Sequence, residues 1–488
     1  MDTTETDLDI FDPDRWGLPA EAVAGLADRL HALWTRFRPC FKTTTRDGSS
    51  HAWVYLRGLL TLPTKRTFAN IARRVVDPAD DGQALQQFMS DSPWSAQDVI
   101  HQVQTELAAT PALQHGSVLI LDESPDAKAG VHRAGAARQW NGRLGKLDLC
   151  QVGTFLAFAT EGLWTWIDGE LFLPEHWFAP DLAGERRRLG IPPGRQFATK
   201  VELGWQMIQR VIAAGVPCEV LLCDDLYGRS QWLRHQLRRA QVVYLADGPA
   251  DTQVYLTQPV LGVPVPRGRQ GRPPTQLRVL NGVTPVEVRQ VVGRAATAFR
   301  RFRVRDTERG MLDDYFAVRP VWTIYAGDVV AEWLVIRQEG GDYTYALSNA
   351  PVTTPACQLV DWKCRRFGIE CANQDAKSDL GWGDFQAQKF PAWEHHLALT
   401  ILAAWFVAQT KVDWATQHGP DATLAQELGI NSLPALSVAN VRELLQAVLP
   451  LQQLSPEQAR RLVVKHLVDR SRSTRSRLQA QFRERGPT

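Results

Sequence analysis

Two apolar runs in this chain end in an aspartate. Val118-Leu119-Ile120-Leu121 stops at Asp122, and Val220-Leu221-Leu222-Cys223 stops at Asp224. Such short, mostly branched runs are the pattern of strands buried on both faces. A carboxylate at the end of a buried strand is costly unless something compensates it, whether a cation, a hydrogen-bond network or exposure at the sheet edge. Two such strands in one sheet would bring the carboxylates together. That pair asks for a positive partner, and a divalent metal is the usual one. Arg366, Glu370, Asn373 and Lys377 form a further set. Their spacing puts them on one face of a helix that also offers Leu359, Val360, Phe367 and Ile369 for packing. Alone, a polar face of this kind is usually solvated surface. The two aspartates upstream give it weight as part of a site.

The elements that must position these groups are read from periodicity. Residues 18–40 read as an amphipathic helix, with Leu18, Ala22, Leu26, Leu30, Leu33, Trp34 and Phe37 at three- and four-residue spacing. Further helices are expected at 51–60, at 65–76 with Thr64 as cap, at about 82–90, and from Ser95 to about 108. Residues 1–112 then make a helical domain with basic faces carrying Lys65, Arg66, Arg73 and Arg74. Such faces are either the solvated surface of a bundle or the phosphate contacts of a DNA-binding module.

Past this domain the pattern changes to strands. After the run ending at Asp122, strands at 149–160 and 163–174 continue an antiparallel meander. Ahead of them, 129–148 is a long loop or hairpin rich in Gly, Arg and Lys. Next come a helix at about 196–214, a strand at 219–223, a helix at 229–240 and a strand at 241–246. That order fits a ribonuclease-H-like core with carboxylates at adjacent strand ends. Glu123 would point to the opposite face from Asp122 and reads as a nearby, non-ligating acid. Residues 250–352 break the alternation with a Pro/Gly/Arg loop at 264–274. Short strands are expected after it at 276–280, 285–291, 298–305, 319–325, 329–337 and 343–348, a β-rich insertion. Trp322 and Trp333 on these strands are either core or stacking surfaces for a base. The core resumes over 353–415, with a helix at 356–378 and an apolar helix at 393–411 in which His395 and His396 read as packed. Residues 416–488 are a helical C-terminal region with an Arg-rich tail. The fold class is multidomain, α+β and α/β, with the ribonuclease-H-like core split between 113–249 and 353–415.

The totals exclude several classes. At 488 residues the chain is too long for one core. No run of about 18 apolar residues is present, so no membrane span is expected. The acidic opening MDTTETDLDIFDPD is unlike a signal peptide. Seven scattered cysteines without a CxxC pair argue against zinc and disulfides, and for a reducing cytoplasm. A net charge of +2 does not announce a nucleic-acid binder, but residues 470–485 concentrate six arginines against one acid, Glu484.

Several stretches carry a family resemblance: VLILDES ending at Ser124, ARQWNGRLGKLDLCQVG (137–153), FLPEHW (172–177), LLCDDLYG (221–228), YALSNAP (345–351), RRFGIECANQDAKSDLG (365–381), and the N-terminal YLRGLL (55–60) and LQQFMSDSPW (85–94). Together they resemble the DDE transposases of bacterial insertion sequences, most of all the insertion-sequence 701 family. Arg366-x3-Glu370-x6-Lys377 fits the family's Tyr-x2-Arg-x3-Glu-x6-Lys signature, with Lys363 at the tyrosine position. Asp224 matches the family's second aspartate, with adjacent Asp225 as the alternative. The resemblance implies a cut-and-paste transposase that binds terminal inverted repeats, cleaves the element ends and joins their 3′-hydroxyls to target DNA. It implies two Mg²⁺ ions, with Mn²⁺ able to substitute. Asp122 would be shared by both ions, with Asp224 on one and Glu370 on the other. It also implies Arg366 and Lys377 on phosphates, and double-stranded DNA held by a homodimer in a bacterial cytoplasm. Arg133, Arg138, Arg143 and Lys146 of the basic hairpin, with Lys65 and Arg66, are candidate DNA contacts. Competing readings are a domesticated, catalytically inactive DNA-binding protein of the same fold, a metal-dependent hydrolase of another substrate, and a two-carboxylate glycosidase.

Overall fold

The computed structural model describes residues 20–417, apart from 129, 143, 266–273, 295–296 and 308–309, then 436–451 and part of 455–479. The chain divides into two units, one of residues 1–96, 377–387 and 395–488, the other of residues 97–376 and 388–394. The acidic opening, most of the Pro/Gly/Arg loop and the end of the Arg-rich tail lie outside the described residues. Among the described residues no helix is long and apolar enough to cross a membrane.

The first unit is helical. Helices α1 (Leu26–Phe37), α2 (Ser49–Thr61), α3 (Phe68–Val75) and α4 (Gln83–Asp91) stand close to the expected places. The buried stripe of α1 is Leu26, Leu30, Leu33 and Phe37, four of the residues whose spacing predicted a helix here, while Trp34 is only half-buried. Helix α3 starts later than the pattern suggested. Lys65 has φ of 51°, which no continuous α-helix accommodates, and the cap is Thr67, whose side chain accepts from Asn70 N. The greater part of a long helix, Phe390–Gln417, belongs here too. Its histidines are packed as expected. His395 lies between the carbonyl oxygens of Met89 and Trp94 and stacks on the Trp94 ring, while His396 Nδ1 is 3.0 Å from Tyr55 Oη.

The second unit is built on one ten-stranded sheet. Its strands are β1 (Val118–Ala127), β2 (Ala137–Asn141), β3 (Lys146–Thr160), β4 (Leu163–Phe172), β5 (Val220–Cys223), β6 (Tyr244–Gly248), β7 (Arg300–Thr307), β8 (Gly310–Tyr325), β9 (Asp328–Glu339) and β10 (Asp342–Ser348). Their order is β7-β8-β9-β10-β6-β5-β1-β3-β2, with β4 also on β3. β1, β5 and β6 are parallel and the other pairings antiparallel. The β-rich insertion is therefore no sheet apart: β10 hydrogen-bonds β6, so the inserted strands lengthen the core sheet. They carry a core of their own around Val254, Val288, Val321, Leu334 and Ile336. One expected strand there, 285–291, is instead two strand residues and then the helical turn Val288–Val291.

Helices cover both faces of the sheet. The unit takes nearly all of α5 (Ala96–Ala108), which the sequence placed in the N-terminal domain. α6 (Lys200–Ala213) approaches the face of Leu121, where a Cβ added to Gly204 would lie 2.7 Å from that leucine. α7 (Gln231–Arg239) packs beside α6. α8 (Ala356–Arg365) and α9 (Gly368–Gln374) lie on the other face, where a Cβ added to Gly368 would meet Ile120 at 3.1 Å. The turn Asp225–Gly228 after β5 packs so tightly on β6 that a Cβ on Gly228 would sit 1.8 Å from the Asp247 carbonyl oxygen. Only glycine fits there.

A buried charge network ties β4 to its neighbours. Arg210 of α6 binds Asp168 at 2.9 and 3.0 Å and Glu170 at 3.1 Å, and Arg195 reaches Glu170 at 3.0 Å. Gln104 of α5 donates to the Ile167 carbonyl. Burial, with the charge of Glu170, pushes Glu394 up to about 7, against the pull of Arg195 and Arg210.

This packing makes two expectations measurable. Gly228→Ala forces the turn off β6 and should cost at least about 2 kcal/mol in denaturant unfolding. For Glu394, the folded state keeps a proton that the unfolded chain releases near its ordinary value, so this contribution to stability falls as pH rises from about 4.5 to about 7. Glu394→Gln should remove that slope and raise stability above neutral pH by on the order of 1–3 kcal/mol, read from melting curves across the window.

Candidate active site

The site begins where the sheet splits. β1 and β5 pair in parallel from Val118↔Val220 to Leu121↔Cys223, and there the pairing stops. β1 does not end at Asp122, as its apolar run suggested. It continues against β3 alone, with Asp122 opposite Phe155 and Ala127 opposite Cys150. β5 does end, because Asp224 caps the turn after it: its Oδ1 accepts from Leu226 N at 3.1 Å and Tyr227 N at 3.3 Å. The two aspartates thus flank a crevice at the carboxyl ends of parallel strands, the usual place for a site in such sheets.

Strand alternation sorts the acids. Asp122 shares the face of Ile120, beneath α8 and α9, and its Oδ1 accepts from Glu123 N at 2.7 Å. Glu123 shares the face of Leu121 and pairs with Lys200 Nζ, at the start of α6, at 2.5 Å. Burial first, then the charge of Asp224, pushes Asp122 up to about 7. Burial also pushes Asp224 up to about 6, with Glu123 and Asp225 adding to it and the Tyr227 amide and Arg366 opposing. Asp225, the alternative second acid, points outward and pairs with Arg229 at 2.6 Å. Below the crevice Tyr227 is fully buried, with its hydroxyl 3.5 Å from Thr154 Oγ1.

The single helix expected at 356–378 is broken. α8 ends at Arg365, and the next amides bond three residues back, Ile369 N to Arg366 O and Glu370 N to Phe367 O. After α9 the chain makes a π-helical turn, Asp375–Asp379. Each change of pitch rotates the residues beyond it about the helix axis, so the expected common face is lost. Arg366 and Glu370 remain neighbours at 3.7 Å. Asn373 turns to the sheet, where its Oδ1 accepts from Trp166 Nε1 at 2.9 Å. Lys377, on the π-helical turn, belongs to the first unit.

The remaining candidates separate. Arg138 and Lys146 are exposed on the β2–β3 hairpin, and Arg143 lies outside the described residues. Lys146 is nine positions along β3 from the partner of Asp122, roughly 30 Å at the rise of a strand. The hairpin cations therefore stand well beyond the carboxylates. Lys65 is exposed. Arg66 is a correction: it is 3% exposed, and its guanidinium is spent on the carbonyls of Leu59 at 3.2 Å and Asp379 at 2.6 Å and on Asp384 at 3.5 Å. It braces the first unit and presents no surface to DNA. Arg73 is likewise buried. Trp322 and Trp333 are half-buried on β8 and β9, and Trp333 Nε1 donates to the Pro351 carbonyl.

Two residues of the cluster are not among those that sequence pattern singled out as site groups. Asp247, on β6, binds Lys363 Nζ at 2.6 Å and Arg366 Nε at 3.3 Å. The signal was present, since VVYLAD repeats the pattern of apolar residues closing on an aspartate. Lys363 stands out in the sequence only by occupying a tyrosine position, and its partner lies 116 residues away. Hard carboxylate oxygens that resist ionisation side by side are the donor set a divalent cation fits. Among the described residues, however, no three acids, histidines or cysteines are gathered closely enough to form a complete metal cage. The fit therefore rests on Asp122 and Asp224, while Glu370 is more than half exposed and pairs with Arg366.

Known proteins share sequence patterns with this chain. A probable transposase for insertion sequence element IS701 from Microchaete diplosiphon is 28% identical over 183 residues, 37% of this chain and 44% of the relative. The chain thus matches less than half the length of that protein. The sequence pattern of the DDE superfamily endonucleases, which use divalent metals, matches residues 36–311. That span includes Asp122 and Asp224 and stops before Arg366 and Glu370. Covering more than half of the 488 residues, it shows that the chain belongs to the DDE superfamily of endonucleases.

Proposed function

We propose that this protein is a cut-and-paste DNA transposase. The observation that carries the reading is the pair of buried aspartates, Asp122 and Asp224, at the split between β1 and β5. The similarity to a probable transposase and the signature around Arg366 and Glu370 support it. The substrate is double-stranded DNA bearing the element's terminal inverted repeats, and two subunits hold the two ends.

Asp122, Asp224 and Glu370 would hold two divalent ions, Mg²⁺ or in its place Mn²⁺. Bound there, such ions activate an attacking oxygen and stabilise a leaving one. Glu370, on α9 after the break at Arg366, would be the third carboxylate. Arg366 and Lys377 bind phosphate oxygens by charge-assisted hydrogen bonds that fix the strand and offset its charge. Arg138 and Lys146 of the hairpin, where Trp140 is also exposed, and Arg143 are further candidate phosphate contacts. Lys65, exposed on the helical unit, is a separate candidate DNA contact. An oxygen of water, or of a freed 3′-hydroxyl, attacks phosphorus. The phosphorus–oxygen bond to the leaving strand breaks, and the proton lost by the attacking oxygen is matched by one that solvent supplies to the leaving oxygen. The same chemistry serves cleavage and joining.

The test is cleavage of a labelled duplex carrying the element's end. Nicking at the repeat boundary is expected with Mg²⁺ and not with EDTA. Glu370→Gln should lower it by on the order of a thousandfold while duplex binding persists. Binding without cleavage in any metal would instead identify an inactive DNA-binding descendant of the fold, and no binding would remove DNA as the substrate.

A further inference from the structure

Asp247 has no part in the proposed metal binding, yet it is the hub of the cations in the crevice. Its Oδ1 takes Lys363 Nζ at 2.6 Å and its Oδ2 takes Arg366 Nε at 3.3 Å. Lys363 is 7% exposed, and an ammonium so deep depends on its carboxylate. Arg366 lies amid four acids, of which Asp247 acts on it most strongly, then Asp122, Glu370 and Asp224. It pairs with Asp247 and, at 3.7 Å, with Glu370, and not with Asp122 or Asp224.

A guanidinium beside two buried aspartates is a competitor for any divalent ion that would use them. Its fork matches carboxylate geometry, and it is always charged. Were it to close on Asp122 and Asp224, they would be neutralised from within. Asp247 offers a nearer partner, and Lys363 fixes that partner in place. Asp247 itself is held by the ladder of β6, between β5 and β10.

We propose that Asp247 is a positioning residue that holds Arg366 aside, so that Asp122 and Asp224 stay open to a divalent cation. This rests on the reading that the two aspartates bind metal.

The test is Mn²⁺ binding to the full-length, DNA-free protein, by titration calorimetry and electron paramagnetic resonance at one fixed pH. Asp247→Ala should weaken binding about tenfold, the scale of a lost partner behind a metal site. Arg366→Ala should bind at least as well as wild type. The double variant Asp247→Ala/Arg366→Ala should return to within about twofold of Arg366→Ala, because the competitor is gone. A purely structural role for Asp247 would not be cured by removing Arg366. Should Asp247→Ala fold poorly with its lysine unpaired, Asp247→Ala/Lys363→Met removes that burden and should show the same tenfold loss. Unchanged affinity in both Asp247 variants, or a loss that persists without Arg366, overturns the proposal. Wild type that binds no Mn²⁺ overturns instead the metal reading of the two aspartates, and this inference falls with it.

Discussion

Like charge confined at the ends of buried strands is the constraint on which the second unit depends. Asp122 and Asp224 cannot both ionise cheaply where β1 and β5 part: burial holds both above the ordinary carboxylate range, with the charge of Asp224 adding to it at Asp122 and those of Glu123 and Asp225 at Asp224. The surroundings answer this with aimed groups. The amides of Leu226 and Tyr227 turn toward Asp224, that of Glu123 toward Asp122, and Arg366 stands across the crevice. Glu123, which would add a further charge, faces the other side of the sheet and is paired with Lys200.

Close backbone approach makes this arrangement rigid. The turn that carries Asp224 rests on the Asp247 carbonyl through Gly228, so β5, its turn and β6 behave as one block. Gly204 lets α6 lie against Leu121, and Gly368 lets α9 lie against Ile120, one residue on each face of β1. The strand with the central aspartate is thus gripped from both sides by helices that reach it only through glycine. The inserted strands add to this frame, because β10 fixes the outer edge of β6 and so the place of Asp247.

Two kinds of buried charge coexist in this unit and do different things. The Asp168–Arg210–Glu170–Arg195 network is self-satisfied, with each acid facing an arginine. The crevice acids are not matched in this way, and that imbalance is what supports the proposal that they take an outside cation. Buried ion pairs elsewhere are weak evidence for stability, and the same is true here of Asp168 and Arg210. Their value is geometric: they join β4 to α6 and to the loop that carries Arg195.

The sequence by itself determined the strand periods, the two aspartates that close apolar runs, the succession of meander and parallel strands, and the amphipathic stripe of α1. These are local patterns of burial, and burial is written in residue type. It could not show that Arg66 turns inward, because its partners at Asp379 and Asp384 lie more than 300 residues away. Nor could it show that the helix bearing Arg366 and Glu370 changes pitch twice, since spacing alone assumes a constant 3.6-residue turn. Asp247 carried the same local mark as the other two aspartates. What it does was decided by Lys363 and Arg366 arriving from a distant helix, and by inserted strands that run on from the core sheet rather than forming their own. Contacts of that range depend on how the elements stack, and only the tertiary structure decided that.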